Sequence, residues 1–159
     1  MSQAISNQDL SSLLGAYPQD RRYALAVMQD IQRRYNYVPG EGLEALAVYL
    51  NCPLAELYSM ATFYKSLSLK PKGNHIIKVC DGTACHIRGS VNLLSGIKAT
   101  LGIGPDETTE DGEFSLELVN CLGSCALAPV MVVDGTYYGK VTLESLPEIF
   151  KALREGAPK

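Results

Sequence analysis

Two short cysteine loops, C-D-G-T-A-C at residues 80–85 and C-L-G-S-C at residues 121–125, dominate the interpretation of this chain. Each loop directly follows a segment with the pattern of a β-strand. The residues between the cysteines are small and include glycine, so the backbone can curl until both thiols of a pair face one metal. The segment between the loops must then fold back to bring the pairs together. The pattern predicts a metal site with the ligands Cys80, Cys85, Cys121 and Cys125.

Two kinds of metal centre use four cysteine thiolates. A structural zinc ion binds them tetrahedrally, and a [2Fe-2S] cluster can take one pair on each iron. The plant-type spacing C-x-x-x-x-C-x-x-C is absent, so spacing alone leaves both centres open. A disulfide framework is less favoured than a metal site or catalytic thiols in a chain without a signal peptide. The fifth cysteine, Cys52, lies outside both pairs and is predicted to be a buried apolar thiol.

Composition limits the class of protein. The 159 residues, of which 47% are hydrophobic, suffice for one domain or two small ones. No apolar run approaches the length of about 20 residues that crosses a bilayer, and residues 1–10 lack the apolar core of a signal peptide. We therefore expect a soluble, cytoplasmic protein without direct membrane insertion. The net charge of -3 argues against nucleic acid as the main partner.

The first part of the chain has the periodicity of helices. Apolar side chains recur at helical spacing within residues 10–14, 23–35, 43–50 and 54–61, and prolines or glycine interrupt the pattern between them. Short connections predict an antiparallel helical bundle over residues 1–72. Its tyrosines and Phe63 are predicted to lie in the core. A solvated helix face is predicted for Arg21, Arg22, Arg33 and Arg34.

The second part, residues 73–159, begins after the hinge-like stretch K-P-K-G at residues 70–73 and alternates strands with helices. Strands are predicted at residues 75–79, 114–119, 130–133 and 136–139, the last two joined by the turn Asp134-Gly135. One helix is predicted from about Ser90, and another from a capping box of Ser145 with Glu148. The order β-α-β-β-α is that of a thioredoxin-like domain. The fold class is therefore α/β (α+β), a helical bundle followed by a thioredoxin-like domain with both cysteine loops at one sheet edge.

Three stretches resemble motifs of the 24 kDa subunit family of respiratory complex I. They are D-G-E-F-S at 111–115 followed by C-L-G-S-C-A-L-A-P at 121–129, C-D-G-T-A-C-H-I-R-G at 80–89, and A-T-F-Y at 61–64. That family includes diaphorase subunits of NAD(P)-linked and electron-bifurcating hydrogenases and of NAD-linked formate dehydrogenases. The resemblance extends from about Tyr23 to Leu153, and residues 82–86 look more like the soluble hydrogenase and formate dehydrogenase members than like many respiratory ones.

The resemblance implies a function in electron transfer. The chain is expected to carry one [2Fe-2S] cluster on Cys80, Cys85, Cys121 and Cys125 as a subunit of an NADH-dependent oxidoreductase complex. Its expected partners are a flavin subunit that holds FMN and NAD(H), and further iron–sulfur subunits. This fits the absence of G-x-G-x-x-G and P-loop motifs. The alternative from the residues alone is a zinc-stabilised interaction module without redox function.

The anionic cluster requires hydrogen-bond donors nearby. Backbone amides of Gly82, Thr83, Gly123 and Ser124, and the positive end of the helix near Ser90, are expected to supply them. Arg88 either adds a positive charge or lies in solvent. His86 is expected to tune or shield the cluster rather than bind it. The acidic stretch between Asp106 and Glu113 is expected to be a solvated loop or a docking surface.

Overall fold

The computed structural model of the chain describes residues 7–156. The chain forms two compact units, Met1–Lys72 and Gly73–Lys159. The first unit is helical, and the second combines helices with a four-stranded sheet. The predicted fold class, a helical part followed by a thioredoxin-like α/β part, is confirmed.

The described part of the N-terminal unit, residues 7–72, contains four α-helices. They are α1 (Asn7–Gly15), α2 (Ala24–Tyr35), α3 (Gly40–Leu50) and α4 (Leu54–Phe63), with a 3-10 turn at Arg21–Tyr23 before α2. Their apolar stripes enclose one core, to which every helix contributes buried side chains, among them Leu14, Ile31, Leu46 and Leu57. The four arginines are exposed as predicted, and each forms a surface ion pair with a carboxylate.

Asparagine and proline set the helix boundaries in this unit. Asn36 ends α2 with φ 63°, and Asn51 ends α3 with φ 47°, a left-handed conformation that asparagine tolerates better than most residues. Pro39 and Pro53 occupy the N-cap positions of the next helices in extended conformation. An asparagine that ends one helix and a proline that precedes the next therefore separate α2 from α3 and α3 from α4.

The prediction that the tyrosines and Phe63 of this unit lie in the core was wrong for Tyr23 and Tyr64, which are 37% and 38% exposed, and for two aromatic residues of α4. Tyr58 is 56% exposed and Phe63 is 79% exposed. The buried positions of α4 are Leu57 and Ala61, four residues apart, and they define the face that meets the core. Tyr58 and Phe63 are offset from that face in opposite directions around the helix, so two separate aromatic side chains of α4 are open to solvent.

The sheet of the C-terminal unit has the strand order β2-β1-β3-β4. Its strands are β1 (His75–Cys80), β2 (Phe114–Val119), β3 (Val130–Val133) and β4 (Thr136–Gly139). β1 runs parallel to β2 and antiparallel to β3, and β3 pairs with β4 in a hairpin. The helices are α5 (Thr83–Ile87), α6 (Ser90–Leu101) and α7 (Leu146–Arg154), with a 3-10 turn at Cys125–Leu127. The core lies between the sheet and α6 and α7, and includes Ile77, Leu93, Phe114 and Phe150.

The hairpin turn also fastens β3 to β1. Asp134 and Gly135 have φ values of 49° and 88°, as a two-residue turn of the predicted kind requires. The carboxylate of Asp134 accepts a hydrogen bond from the Ile76 amide at 3.0 Å and contacts His75 Nδ1 at 2.6 Å. One turn residue therefore holds the start of β1.

The predicted capping box at the start of α7 was wrong. Ser145 has helical backbone angles, whereas a capping side chain needs an extended N-cap residue. Its hydroxyl turns back instead, donating to the Thr142 carbonyl at 2.8 Å and accepting from the Thr142 amide at 3.3 Å.

Over residues 7–156, no helix is long and apolar enough to span a membrane.

Candidate metal centre

Both cysteine loops begin at the same edge of the sheet. β1 and β2 are parallel and in register, with Cys80 opposite Val119, so their carboxyl ends lie side by side. Cys80 is the last residue of β1, and Cys121 follows the end of β2 by two residues. Cys125 begins the 3-10 turn that leads into β3. The predicted meeting of the two loops at one sheet edge is confirmed.

The loops pack closely enough to exclude a side chain at one position. A Cβ atom added to Gly82 would lie 2.7 Å from the carbonyl oxygen of Asn120 and 3.5 Å from the sulfur of Cys80. Contacts of 2.7 Å are shorter than packed atoms tolerate, so glycine lets the first loop approach the backbone that enters the second.

The four thiols differ in exposure. Cys80 is 3% exposed and Cys85, within α5, is 1% exposed. Cys121 and Cys125 are both exposed. The centre therefore has a buried pair from the first loop and a surface pair from the second.

Backbone amides point at three of the sulfurs. Cys80 accepts hydrogen bonds from the amides of Gly82 and Leu122, and Cys85 accepts one from Val130. The Gly123 amide donates to Cys121 at 3.3 Å. The amides of Gly82 and Gly123 were among the predicted donors, and those of Thr83 and Ser124 stay predictions. The sequence pattern did not reveal the Leu122 and Val130 amides, which come from the opposite loop and from β3.

These contacts shift the pKa values of the two buried thiols in opposite directions. Burial raises the pKa of Cys80, but the amides of Gly82 and Leu122 and a hydrogen bond with Cys85 outweigh it, so the pKa falls below its usual value. Burial raises the pKa of Cys85, and the hydrogen bond with Cys80 raises it further. Because metal ligands must be thiolates, the site already stabilises the charged form of Cys80.

The donors fit an anionic cluster with cysteine ligands. Four thiols lie on two loops at one sheet edge, and amide groups are directed at three of their sulfurs. In the described part of the chain, no three Cys, His, Asp or Glu side chains, the four cysteines included, are already placed so that they could hold a metal ion.

The other residues named from the sequence lie outside this ligand set. His86 is exposed, and its Nδ1 lies 3.1 Å from an Asp81 carboxylate oxygen. Arg88 is also exposed. Cys52 is half-buried and packs against the core of the helical unit. In the acidic stretch, hydrogen bonds from Thr109 and the Glu113 amide lower the pKa of Asp111, as does the charge of Arg154, whose guanidinium lies 2.9 Å away.

The fold and the site define a class: a thioredoxin-like domain that presents four cysteines on adjacent loops. The chain belongs to the thioredoxin-like [2Fe-2S] ferredoxin family, because the family model described as "Thioredoxin-like [2Fe-2S] ferredoxin" matches residues 10–154. The family predicted from the sequence motifs is thereby confirmed.

Relatives of similar length support the same placement. The chain is 35% identical over 148 residues to an NADH-quinone oxidoreductase subunit of Rhizobium meliloti (strain 1021), covering 91% of this chain and 88% of the relative. It is 33% identical over 135 residues to the NADP-reducing hydrogenase subunit HndA of Solidesulfovibrio fructosivorans, covering 85% and 79%.

A solved structure shares the fold. The crystal structure of an NAD+-reducing [NiFe]-hydrogenase in the air-oxidised state matches with a TM-score of 0.73 at 19% identity. The match covers 86% of this chain and 23% of the hydrogenase chain. At this identity the likeness shows the fold alone.

Proposed function

We propose that this chain is an electron-transfer subunit of a flavin-containing, NADH-dependent oxidoreductase complex. It carries one [2Fe-2S] cluster and exchanges single electrons with FMN on a partner subunit, which also binds NAD(H). The observation that carries the proposal is the meeting of two cysteine loops at one sheet edge in a chain of the [2Fe-2S] ferredoxin family. Its relatives are named as subunits of an NADH-quinone oxidoreductase and of an NADP-reducing hydrogenase.

The ligands in this proposal are Cys80, Cys85, Cys121 and Cys125. When bound, the cluster supplies a centre that accepts and releases one electron at a time. The amides of Gly82, Leu122, Gly123 and Val130 offset its negative charge through the sulfurs that they contact. Burial of the first cysteine pair keeps water from half of the site. Exposure of the second pair leaves the other half open towards a redox partner.

The two units then divide the work. Residues 73–159 form the ferredoxin domain, and residues 1–72 form a docking domain for the complex. The exposed aromatic residues of α4, Tyr58 and Phe63, support this assignment because aromatic residues are enriched at protein interfaces. We place the protein in the cytoplasm, where its five free cysteines would stay reduced and available to iron. Association with a membrane would come through the larger complex.

The test begins with colour. Protein purified without oxygen should contain iron and acid-labile sulfide in equal amounts, absorb visible light and bleach with dithionite. Colourless protein with one zinc ion would support the zinc-stabilised interaction module instead.

Cysteine variants test the ligand set. Cys80→Ser, Cys85→Ser, Cys121→Ser and Cys125→Ser should each lose or strongly alter the cluster, because each removes one of the proposed ligands. Cys52→Ser is the matched control and should retain the iron content of the wild type. A normal cluster in Cys121→Ser would contradict the assignment.

A further inference from the structure

Asp81 occupies a fixed position beside the first proposed ligand. It directly follows Cys80 and precedes Gly82. Its amide donates to the Val119 carbonyl at 2.8 Å, which continues the pairing of β1 with β2 one residue beyond Cys80. The backbone of Asp81 is therefore held by the sheet rather than by the loop.

The carboxylate of Asp81 is held as well. One of its oxygens lies 3.1 Å from His86 Nδ1 and 3.5 Å from Ser90 Oγ, which donates to it. Ser90 is fully buried at the first position of α6, and His86 directly follows the ligand Cys85. Both partners contact the same carboxylate oxygen, so they hold the side chain of Asp81 beside the first ligand loop.

The charge of the Asp81 carboxylate acts against further negative charge at the centre. Asp81 is the residue next to the ligand Cys80, and Coulomb repulsion between like charges on neighbouring residues is only partly screened near a protein surface. Reduction adds one electron to the site, so the same repulsion opposes reduction.

We propose that the Asp81 carboxylate, positioned by His86 and Ser90, lowers the reduction potential of the [2Fe-2S] cluster. This inference rests on the proposed function, since it requires that the chain binds the cluster. In this proposal Asp81 acts through the charge of its carboxylate and does not bind iron.

The experiment is a redox titration of the full-length protein, followed by electron paramagnetic resonance at one pH and one salt concentration. Asp81→Asn removes the charge and keeps the size and hydrogen-bonding capacity of the side chain. In this variant, the equilibrium constant for one-electron reduction of the cluster should be about threefold to tenfold larger than in wild type. A tenfold change corresponds to a potential about 59 mV higher. Asp81→Glu keeps the charge and should stay closer to the wild-type potential than Asp81→Asn. Glu110→Gln removes one charge in the loop before β2, at the opposite end of the strands, and is the matched control.

The outcomes separate the two proposals. If wild-type protein holds no [2Fe-2S] cluster, the proposed function fails. If the cluster is present and Asp81→Asn leaves its potential unchanged, or shifts it no more than Glu110→Gln, only the inference about Asp81 is overturned. Asp81→Ser gives the same comparison if Asp81→Asn fails to assemble the cluster. Loss of the cluster in both neutral variants, with normal assembly in Asp81→Glu, would also overturn the inference, because the carboxylate would then serve assembly.

Discussion

At Gly82 the first cysteine loop packs directly against the backbone that leads into the second. The space left for a side chain is 2.7 Å from the Asn120 carbonyl oxygen, and that oxygen belongs to the backbone, which cannot rotate away. The Gly82 amide also donates to Cys80. Because glycine has no Cβ, the two loops that carry the proposed ligand pairs can pack against each other at this position.

We expect Gly82→Ala to push the loops apart and to destabilise the C-terminal unit by about 1–3 kcal/mol, the usual cost of overpacking. The variant should assemble less cluster per chain than wild type, measured by iron content and visible absorbance. Gly40→Ala is the control, because a Cβ there meets no atom within 4 Å. Equal iron content in Gly82→Ala and Gly40→Ala would show that the close approach is not needed.

At the same scale, the sequence named the four cysteines because thiols have few alternative roles at such spacing. The structure places their loops at one sheet edge, and their role as ligands stays a prediction. The amides of Leu122 and Val130 could not be predicted from the sequence, since any residue supplies an amide and only the approach of distant segments decides which amide meets a sulfur. The partnership of His86 with Asp81 was missed for the same reason, since it depends on the turn of α5.

At the scale of elements, strands and long helices followed from the periodicity of apolar residues. The strands Phe114–Val119, Val130–Val133 and Thr136–Gly139 have the predicted bounds. The five-residue helix α5 was not predicted, because a helix so short has no room for an apolar repeat. The capping box at Ser145 failed because the motif specifies side chains, whereas the backbone angles of the N-cap residue decide whether they can cap.

The turn between β3 and β4 yields a prediction at this scale. Asp134→Ala should lower the free energy of unfolding by about 2–3 kcal/mol, because it leaves the Ile76 amide without its partner and puts alanine in a left-handed conformation. For a unit of this size, the thermal midpoint followed by circular dichroism should fall by roughly 10 °C.

Asp134→Asn is the control for this turn. Asparagine keeps an oxygen acceptor for the Ile76 amide and tolerates positive φ. The decrease in the free energy of unfolding should therefore be clearly smaller in Asp134→Asn than in Asp134→Ala. Equal midpoints for Asp134→Ala and wild type would contradict a fastening role for the turn.

At the scale of the whole molecule, the two exposed aromatic residues of α4 should matter only in the complex. Replacing Tyr58 and Phe63 together with serine should leave the cluster intact and weaken binding to the flavin subunit at least roughly tenfold, since aromatic interface residues often contribute about 2 kcal/mol or more. Binding can be measured by calorimetry with the purified partner.

The matched control for the docking prediction is Val48→Ser. Val48 is 83% exposed on α3, so the substitution removes an exposed apolar side chain from the same unit. If the Tyr58 and Phe63 double variant binds the flavin subunit with undiminished affinity, these two residues do not belong to the docking surface.

The isolated chain should be unable to oxidise NADH by itself. NADH delivers a hydride, which carries two electrons, whereas a [2Fe-2S] cluster accepts one, so a flavin must divide the pair. The sequence has neither a G-x-G-x-x-G turn nor a P-loop to hold the nucleotide. Flavin-free protein should therefore stay oxidised under excess NADH without oxygen, but become reduced by dithionite, or by NADH once the flavin subunit is added. Electron paramagnetic resonance detects the reduced cluster directly, and a signal with NADH alone would place a nucleotide site on this chain.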